Sequence, residues 1–318
     1  MADKDIEKTK MTSMVVDRDI ERTRKINHDF WYSEYHMNDV RMSYRIAEIV
    51  YTERTPFQDI RIIKNDTYGM ILIIDGYVQI TEKDEHVYHE MICHTPMAVN
   101  PEIKNVLVIG GGDGGTVREL SEYTGLETID MVEIDEAVVR ACEKYIPQTA
   151  ATLSNEPRLN LRFEDGLTFV KNAKDGAYDL ILVDSTDPEG PGEALFTLDF
   201  YKDCFRILGD DGILINQHES AFYDIEREEM IKAHNKINAI FPIAKVYGFN
   251  IASYASGYWY FGFASKKYDP IADHKPDEWD DMGLSTKYYN SEIHRASFAH
   301  PNYLKELLEG TNQSFSSP

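Results

Sequence analysis

One glycine-rich segment constrains the fold of this chain more than any other feature. Gly110-Gly-Gly-Asp-Gly-Gly115 directly follows the apolar run Val106–Ile109 and precedes a helical pattern that begins at about Thr116. Glycine lets the backbone turn sharply between a strand and a helix, and it lets backbone amides approach a ligand closely. This context predicts a nucleotide-binding turn in an α/β domain.

The identity of the nucleotide depends on two carboxylates. Glu133 ends the next predicted strand about 20 positions after Asp113, where a carboxylate can accept hydrogen bonds from ribose hydroxyls. The spacing also fits G-x-G-x-x-G, so NAD is one interpretation. Asp113 would face a pyrophosphate across a poorly screened gap, which favours a ligand with adenosine but without phosphates. In the alternative without a ligand, Asp113 caps the helix and Glu133 is a solvated strand end.

The charge balance indicates the class of partner. The 318 residues include 55 acidic and 33 basic ones, a formal net charge of −22. This excess repels nucleic acid and anionic membrane surfaces, so neither is an expected partner, whereas small cationic molecules are. Because the chain lacks a long apolar run and a signal-peptide core, we predict a cytoplasmic protein. Three widely spaced cysteines are expected to be reduced and buried rather than paired or bound to zinc.

The hydrophobic pattern divides the chain into four segments. Residues 1–25 are predicted to form a charged arm, and residues 26–84 a small antiparallel β domain, since short β-rich runs alternate there with turn signals. These runs are Ile46–Tyr51, Asp59–Ile63 and Met70–Ile74. Residues 85–305 contain apolar strands without polar alternation, which is typical of a sheet covered on both faces. They predict an α/β, doubly wound, Rossmann-like methyltransferase-type catalytic domain, with a polar tail over residues 306–318.

Acidic residues also follow the later predicted strands of this domain. Asp165 and Asp184 follow two such strands, and Asp187 lies three residues after Asp184 in a loop rich in proline and glycine. In an open α/β sheet, ligands bind beyond the carboxyl ends of the strands, so these carboxylates should converge with Asp113 and Glu133. Crowded carboxylates raise one another's pKa unless a cation neutralises them. The cluster predicts a cationic substrate or a divalent metal, although Asp187 by itself also suits an ordinary Asp-Pro turn.

Motifs spread over about residues 30–270 resemble the spermidine synthases, or polyamine aminopropyltransferases. They are Trp31–Tyr35, Phe57–Asp59, Leu72–Glu85, Tyr88–Glu90, Val108–Gly115, Val132–Asp135, Asp184–Pro188, Gly190–Gly192 and Leu195–Thr197. The resemblance implies transfer of the aminopropyl group of decarboxylated S-adenosylmethionine to a diamine such as putrescine, with spermidine and methylthioadenosine as products. It also implies an amino-terminal β domain, a homodimer or homotetramer, and neither a metal nor a tightly bound cofactor.

The same resemblance implies a set of residues for each substrate. The donor set is Gln58, Asp113, Glu133, Ile134, Asp165, Gly166 and Pro191. The acceptor set is Gln79, Tyr88, His89, Asp113, Asp187 and Tyr254. Glu219 is added to this set because the segment Gln217–Tyr223, which follows the strand Ile213–Ile215 and departs from the family pattern, places it near the acceptor channel. Within the donor set, Glu133 would hold the ribose hydroxyls, Asp165 with Gly166 the adenine, and Asp113 the amine of the aminopropyl arm. Without the resemblance, core packing would be the better interpretation of the aromatic members of the acceptor set.

Asp184 is the residue to which the resemblance assigns a catalytic role, as proton acceptor. An aspartate with an ordinary pKa near ~3.9 is a weak base for an alkyl ammonium with a pKa near ~10.4. Its charge would stabilise the ammonium, so the residues alone favour an electrostatic anchor over a base. We keep the base assignment because the attacking nitrogen becomes more acidic as its bond to carbon forms.

Three alternatives stay open at this point. The acceptor could be agmatine, cadaverine or a longer amine, and Ala252–Gly257 bears on this because it lacks two prolines that many relatives carry beside the tyrosine. A methyltransferase or carboxyaminopropyl transferase would use intact S-adenosylmethionine, whose carboxylate Asp113 would repel by about 4 kcal/mol at ~4 Å. A polyamine-binding protein would keep the pocket without turnover.

Overall fold

The computed structural model describes residues 30–36, 40–186 and 190–313. The arm predicted for residues 1–25 lies outside these ranges, and so does the predicted site residue Asp187.

The amino-terminal part contains two antiparallel sheets. Strand β1 (Phe30–His36) pairs with β2 (Val40–Ile46) as a separate hairpin. The other sheet is a four-stranded meander formed by β3 Glu48–Arg54, β4 Asp59–Asn65, β5 Gly69–Ile74 and β6 Tyr77–Thr81. These sheets confirm the predicted small antiparallel β region. The run predicted as one strand from Ile46 to Tyr51 is instead divided between β2 and β3 by a bend at Ala47.

The meander is covered on both faces. Ile62, Leu72 and Ile80 belong to the large apolar core that it shares with the α/β domain. Ile71 and Ile73 alternate with these residues along β5 and pack with side chains of the hairpin instead. Because side chains alternate across a strand, this arrangement explains why the meander strands are apolar on both faces.

A seven-stranded sheet forms the framework of the α/β domain, in the order β12-β13-β11-β10-β7-β8-β9. Its strands are β7 Asn105–Gly110, β8 Thr128–Glu133, β9 Leu159–Phe163, β10 Tyr178–Asp184, β11 Leu208–Gln217, β12 Ile243–Asn250 and β13 Tyr258–Ser265. Strands β7 to β11 are parallel, whereas β13 is antiparallel to both of its neighbours. The predicted α/β class is confirmed, but the sheet is mixed, because a short loop returns the chain from β12 directly to the adjacent strand.

The central strands bury both of their faces. In β10, Leu180 and Leu182 join one apolar cluster, whereas Ile181 and Val183 join a second cluster on the opposite face. This two-sided burial is the physical reason for the absence of polar alternation in the sequence. The same clusters enclose the three cysteines, which are free and buried as predicted: Cys93, Cys142 and Cys204.

Helices cover the sheet and close the carboxyl-terminal end of the domain. They are α1 Glu85–Met97, α2 Gly115–Ser121, α3 Glu136–Tyr145, α4 Pro147–Ala150, α5 Gly166–Asn172, α6 Leu198–Ile207, α7 Asp224–Asn238, α8 Pro276–Asp280, α9 Ser291–Ser297 and α10 Asn302–Gln313. The last of these helices runs into the segment predicted as a polar tail. No helix within the described residues has the length and apolarity needed to cross a membrane.

Helix α1 lies in the interior and carries two of the predicted site residues. Almost all of its side chains are buried, including Tyr88 and His89. The next residue, Glu90, accepts hydrogen bonds from the backbone N–H groups of residues 287–289 at 2.8–2.9 Å. A buried carboxylate with three N–H donors is well satisfied, so Glu90 fixes the carboxyl-terminal segment against α1. This anchoring holds the helix in place beside the strand ends.

The loop Ala252–Gly257 joins β12 to β13 and is tied to the amino-terminal region. The backbone of Ser253 accepts a hydrogen bond from the Tyr44 hydroxyl at 2.8 Å and donates one to Asp84 Oδ2 at 2.9 Å. The hydroxyl of Tyr254 donates to the backbone oxygen of Gln79 at 2.9 Å. These three hydrogen bonds hold the loop in place. The loop carries alanine rather than proline at positions 252 and 255.

Candidate active site

A cleft, here called the inner cleft, opens at the carboxyl ends of the parallel strands and faces the meander. The meander contributes apolar side chains to it, among them Leu72, Ile74 and Ile80. The predicted site residues that line it are Gln58, Gln79, Tyr88, His89, Asp113, Glu133, Ile134, Asp165, Gly166, Asp184 and Tyr254. The parallel topology therefore brings together the carboxylates that follow the four strands β7 to β10.

The glycine-rich turn lets two loops pack directly against each other. Gly110 and Gly111 have φ angles of 83° and 74°, a left-handed conformation that other residues rarely adopt. The Gly111 N–H donates to the backbone oxygen of Asp184 at 2.8 Å, and a Cβ on Gly110 would overlap that oxygen. A Cβ on Gly112 would lie 2.9 Å from Glu133 Oε2. The missing side chains thus allow the turn to approach both carboxylate residues.

Asp113 and His89 form an ion pair at the inner end of the cleft. The ring of His89 is fully buried, with Nε2 3.1 Å from Asp113 Oδ1 and Nδ1 2.7 Å from Glu85 Oε2. Burial lowers the pKa of His89, but Asp113 and Glu85 raise it well above its ordinary value. Burial raises the pKa of Asp113, and the positive charge of His89 brings it below the ordinary value. Both groups are therefore charged at neutral pH.

Arg118 on α2 extends this pair into a chain of alternating charges. Its two terminal nitrogens each donate to Glu85 at 2.9 Å. Burial raises the pKa of Glu85, but hydrogen bonds from His89 and Arg118 lower it to about 2. Asp113 Oδ1 also accepts the Gly115 N–H at 2.9 Å, so the helix start helps to orient the carboxylate. The chain fixes the Asp113 carboxylate at the inner end of the cleft.

Gly115 supports the ion pair through the absence of a side chain. A Cβ at this position would overlap the imidazole of His89, which cannot move away because carboxylates hold both of its nitrogens. We expect Gly115→Ala to displace the ring and the Asp113 carboxylate paired with it, and to lower kcat/KM by up to about 100-fold, because a misplacement of about 1 Å can reduce a rate by that factor. Steady-state kinetics would measure the change.

Gly125→Ala is the matched control, because a Cβ at Gly125 would meet no heavy atom within 4 Å. That variant should keep the parental kcat/KM. Equal kinetics in the Gly115 and Gly125 variants would show that the position of His89 does not affect the reaction.

Asp184 is the last residue of β10, is partly buried and lines the inner cleft. The hydroxyl of Thr116 donates to Asp184 Oδ2 at 2.6 Å. Burial and the charge of Asp113 raise the pKa of Asp184 to about 6, although His89, Thr116 and Tyr88 act in the opposite direction. An aspartate with this pKa is mostly ionised at neutral pH and is a stronger base than an ordinary aspartate. The ordinary pKa of aspartate is an argument against Asp184 as a proton acceptor, and the raised pKa weakens that argument.

Glu133 is buried at the end of β8, with 7% of its surface exposed. Its Oε1 accepts the Asp135 N–H at 2.9 Å. Burial raises the pKa of Glu133 to about 7, and the negative charges of Asp135 and Asp184 contribute to the rise. The alternative in which Glu133 is a solvated strand end is therefore wrong. A buried carboxylate of this kind is available to accept hydrogen bonds from a ligand.

Three other predicted donor residues, Gln58, Asp165 and Gly166, line the same cleft. Asp165 caps α5, where its side chain accepts the N–H groups of Leu167 and Thr168 at 3.2 and 3.1 Å. Gly166 is buried, and a Cβ there would lie 2.7 Å from a side-chain carbon of Ile109. The Oε1 atom of Gln58 is buried without a hydrogen-bond partner among the described residues, which is the condition expected of an atom that binds a ligand or water.

Two predicted residues cannot be assigned a side-chain position. Pro191 belongs to the 3-10 helix Gly190–Phe196, from which Gly192 and Leu195 line the inner cleft. Asp187 lies outside the described residues. Their assignments remain predictions.

Glu219 lines a second cavity rather than the inner cleft. The two cavities share Gln79, Gln217 and Tyr254 as lining residues, so Glu219 lies beyond a common wall. The Tyr88 hydroxyl donates to Gln217 Oε1 at 3.3 Å on the inner side of this wall. The structure thus places Glu219 next to the inner cleft, and its role towards an acceptor remains a prediction.

His89, Asp113 and Asp184 offer ligand atoms within 4.8 Å of one another, a spacing at which a metal ion could be considered. Both ring nitrogens of His89 face carboxylates and its pKa is raised, so the imidazole is protonated and offers no lone pair to a metal. The arrangement suits a cation that donates hydrogen bonds, such as an ammonium group, better than it suits a metal ion.

Sequence reasoning does not identify three residues that support the site: Glu85, Thr116 and Gln217. Glu85 lies four positions before His89 on a predicted helix, and this spacing is a usable signal for a side-chain pair. Gln217 ends a predicted strand on the ligand-binding edge of the sheet, which is also a usable signal. For Thr116 the sequence gives no sign that its hydroxyl would reach the end of β10.

Comparison with known proteins agrees with this geometry. A family model described as the spermidine synthase tetramerisation domain matches residues 30–82, and one described as the spermine/spermidine synthase domain matches residues 85–275. The chain belongs to the spermine/spermidine synthase family. This family membership confirms the predicted family, and it confirms the predicted class of enzyme, a transferase of alkyl groups other than methyl.

This family member is similar to curated relatives along most of its length. It is 58% identical over 283 residues to the polyamine aminopropyltransferase of Clostridium acetobutylicum, covering 89% of this chain and 99% of the relative. The identity to the polyamine aminopropyltransferase of Alkaliphilus oremlandii is 54% over 281 residues, covering 88% and 98%.

Solved structures resemble this family member in fold as well. A crystal structure of spermidine synthase in complex with the transition state analogue AdoDATO superposes with a TM-score of 0.86 at 39% identity, covering 89% of this chain and 96% of that chain. Spermidine synthase from Thermotoga maritima gives a TM-score of 0.84 at 38% identity, covering 89% and 95%. These superpositions confirm the predicted Rossmann-like domain preceded by a small β domain.

Proposed function

We propose that this protein transfers the aminopropyl group of decarboxylated S-adenosylmethionine to putrescine, giving spermidine and methylthioadenosine. The observation that carries the proposal is the pair Asp113 and Asp184, two neighbouring carboxylates at the inner end of a cleft whose other part suits a nucleoside. Both substrates are cations, and the carboxylates would stabilise both. The relatives named polyamine aminopropyltransferase support the same reaction.

The donor would bind with its nucleoside between the strand ends and the meander. Glu133 would accept hydrogen bonds from the ribose hydroxyls, with Ile134 packed beside it, and Asp165 with Gly166 would contact the adenine. Gln58 would supply its orphaned oxygen to the nucleoside side, and Pro191 would line the adenine pocket. This placement leaves the sulfonium and the aminopropyl arm directed towards the inner end of the cleft.

Asp113 would bind the ammonium at the tip of the aminopropyl arm. Intact S-adenosylmethionine carries a carboxylate beside that amine, and the anionic Asp113 would repel it. At ~4 Å and an effective dielectric constant of ~20 the repulsion is about 4 kcal/mol, close to a thousandfold in affinity. The arrangement therefore favours the decarboxylated donor over the substrate of a methyltransferase.

The reaction would be a single displacement at carbon. A neutral amine of putrescine attacks the methylene carbon next to the sulfonium, the C–N bond forms, and the C–S bond breaks with its electron pair remaining on sulfur. The nitrogen then loses one proton to Asp184, and methylthioadenosine leaves. Because the sulfonium is already a good leaving group, the protein would contribute mainly orientation and proton removal. Tyr88, Gln79 and Tyr254 would frame the acceptor, with Asp187 and Glu219 holding its distal ammonium.

The pH dependence of this reaction should reflect two buried carboxyl groups. Burial raises the pKa of Asp184 to about 6 and that of Glu133 to about 7. Both must be ionised in their proposed roles, so kcat/KM for the donor should fall as pH decreases below 7. The fall should approach a hundredfold per pH unit well below pH 6, where both groups are protonated.

A pH series of initial rates with saturating putrescine would measure this profile. Glu133→Gln removes one of the two titrations, so its profile should fall by about tenfold per pH unit. A parental profile that is flat between pH 5 and 7 would contradict the assigned roles of both carboxylates.

The test of the proposed function is a product assay by mass spectrometry. The protein is incubated with decarboxylated S-adenosylmethionine and an equimolar panel of putrescine, cadaverine and agmatine. Formation of methylthioadenosine with spermidine as the main amine product supports the proposal. Preferential alkylation of another amine would change the acceptor, and turnover of intact S-adenosylmethionine would change the reaction class. Tight polyamine binding without methylthioadenosine would identify a binding protein.

We also propose that the protein is a homo-oligomer that assembles through the amino-terminal sheets. The matched family model is a tetramerisation domain, and β1 exposes three large side chains: Phe30 by 77%, Trp31 by 57% and Tyr35 by 63%. Such an apolar surface is typical of an interface. Light scattering would distinguish a dimer or tetramer from a monomer, and a monomeric mass at micromolar concentration would contradict the proposal.

A further inference from the structure

A cavity that shares no lining residue with the inner cleft lies where α7, β12 and α10 meet, and it is here called the distal cavity. Its volume is about 290 Å³. His234 of α7, Lys245 of β12 and Lys305 of α10 line it, together with His300, which precedes α10. The remaining lining residues are apolar: Ala244, Val246, Ile271, Phe298 and Leu308. The distal cavity is therefore separate from the site proposed for the two substrates.

The ionisable side chains that line the distal cavity are all basic. They are the two lysines and the two histidines named above, and no described lining residue is an aspartate or a glutamate. Lys245 Nζ lies 3.2 Å from Asp269 Oδ2, so its charge is balanced. Lys305 is exposed and forms no ion pair with a described carboxylate. Because the chain as a whole has a net charge of −22 and repels anions, this cavity is a local exception that favours an anion.

His300 presents an unpaired hydrogen-bond acceptor in the wall of the distal cavity. Its Nε2 donates to the backbone oxygen of Val246 at 2.8 Å, and because a carbonyl oxygen can only accept, this nitrogen carries the ring proton. The other nitrogen, Nδ1, is buried without a hydrogen-bond partner among the described residues. Burial and the charge of Lys305 lower the pKa of His300, although the bond to Val246 acts in the opposite direction. The ring is therefore neutral at neutral pH, and Nδ1 holds a lone pair that calls for a donor.

The other titratable groups beside the His300 ring are neutral apart from the lysines and Asp269. Burial, with a contribution from His300, lowers the pKa of His234 to about 4. Burial raises the pKa of Tyr260, whose ring centroid lies 6.1 Å from that of His300. With Lys245 balanced by Asp269, the charge available to a ligand comes from Lys305. The distal cavity thus offers a ligand one cationic donor and one neutral acceptor nitrogen.

A phosphate group matches this lining better than a carboxylate or a sulfate does. The second pKa of a phosphate monoester is about 6, close to the ~6.5 of an ordinary histidine. Near neutral pH a protonated phosphate oxygen can therefore donate a hydrogen bond to Nδ1 of His300. Carboxylate and sulfate groups carry no proton at this pH, so they would place a second acceptor against the lone pair. The ammonium of Lys305 would balance the phosphate charge.

We propose that the distal cavity binds a phosphate group at Lys305 and His300, either as inorganic phosphate or as part of a small phosphate monoester. The apolar side chains of Ile271, Phe298 and Leu308 would cover the organic part of an ester. A bound phosphate would connect α10 to β12 through His300, whose ring is already bonded to Val246. Because this ligand would bind only the folded protein, it would also raise the Tm.

The test is isothermal titration calorimetry of the full-length protein at pH 6.5, with inorganic phosphate and with sulfate at constant ionic strength. Phosphate should bind about tenfold more tightly than sulfate, the factor expected from one hydrogen bond to a charged group. His300→Phe keeps a ring but has no acceptor nitrogen, so the ratio of the two affinities should fall to about one. Lys305→Gln, at an exposed position, should weaken both anions by a similar factor and leave the ratio unchanged.

Lys267→Gln is the matched control, because Lys267 is an exposed lysine that does not line the distal cavity. It should leave both affinities unchanged. A parallel titration with glycerol phosphate identifies the occupant, since an ester that binds more tightly than inorganic phosphate indicates an organic ligand. The inference is overturned if the parent does not bind phosphate or binds it no more tightly than sulfate. A preference for phosphate that survives in His300→Phe, or unchanged affinities in Lys305→Gln, would overturn it as well. All of these measurements concern binding, so their outcome does not depend on the proposed reaction.

Discussion

Replacement of Asp184 by asparagine is expected to lower kcat by about 10²- to 10⁴-fold, the usual contribution of a positioned general base. Asparagine keeps the shape of the side chain and can still accept the Thr116 hydrogen bond, but it cannot take a proton from the attacking amine. Rapid-quench or steady-state measurement of methylthioadenosine formation would give the factor. An exposed residue, Asp210, offers the control substitution Asp210→Asn, which should leave kcat unchanged.

The same variant should be more stable than the parent at alkaline pH. The pKa of Asp184 is raised from 3.8 to about 6 in the folded protein, so its ionised form opposes folding once the pH exceeds these values. The effect amounts to at most about 3 kcal/mol at pH 8. Asp184→Asn should therefore raise the Tm by several degrees at pH 8, and the difference should shrink as the pH falls through 6 towards 4. Near-parental turnover together with an unchanged Tm would remove Asp184 from the mechanism.

Replacement of Asp113 by asparagine is expected to weaken binding of the decarboxylated donor by up to about a thousandfold, from the loss of about 4 kcal/mol of charge attraction. The protonated His89 would lose one of its two carboxylate partners and would repel the donor amine, which adds to the loss. Isothermal titration calorimetry with decarboxylated S-adenosylmethionine would measure the change.

Methylthioadenosine provides the internal control for this variant, since it has the nucleoside but no aminopropyl arm. Its affinity should change by less than about threefold, well under the ~1.4 kcal/mol that a tenfold change requires. The variant should also discriminate less against intact S-adenosylmethionine, because the anion that repels its carboxylate is gone. Equal losses for the decarboxylated donor and methylthioadenosine would contradict the assignment of Asp113 to the amine.

The position of the site could be predicted because it depends on local signals and on topology. Four parallel strands of one sheet carry the site at their carboxyl ends, which meet at one edge. The site elements there are the turn around Gly110, Glu133, Asp165 and Asp184. The structure places all of them along one cleft. No knowledge of side-chain packing is needed for this step.

The electrostatic state of the site could not be predicted in the same way. The pKa of Asp184 depends on burial and on the distance to Asp113, and that of His89 depends on two carboxylates from different parts of the chain. Arg118, which completes the charge chain, lies 2.9 Å from Glu85 but 33 positions away in sequence. Such long-range contacts follow from tertiary packing, and the hydrophobic periodicity of the sequence does not predict them.

The location of Glu219 shows a similar limit. Its position after a strand end predicts that it lies near the inner cleft, but that position cannot distinguish the two sides of the wall formed with Gln79 and Tyr254. That wall exists because the loop Ala252–Gly257 bonds to the amino-terminal sheets, and its anchoring residues come from distant segments.

The shared ring of Tyr254 gives this protein a simple means of changing its substrate range. The side chain of Tyr254, which donates a hydrogen bond to the backbone oxygen of Gln79, lies with Gln79 and Gln217 between two compartments of different size. A smaller residue at position 254 would widen the opening between the two compartments. One substitution at position 254 could thus admit longer substrates at the cost of selectivity, while the proposed nucleoside pocket and the proposed proton acceptor stay unchanged.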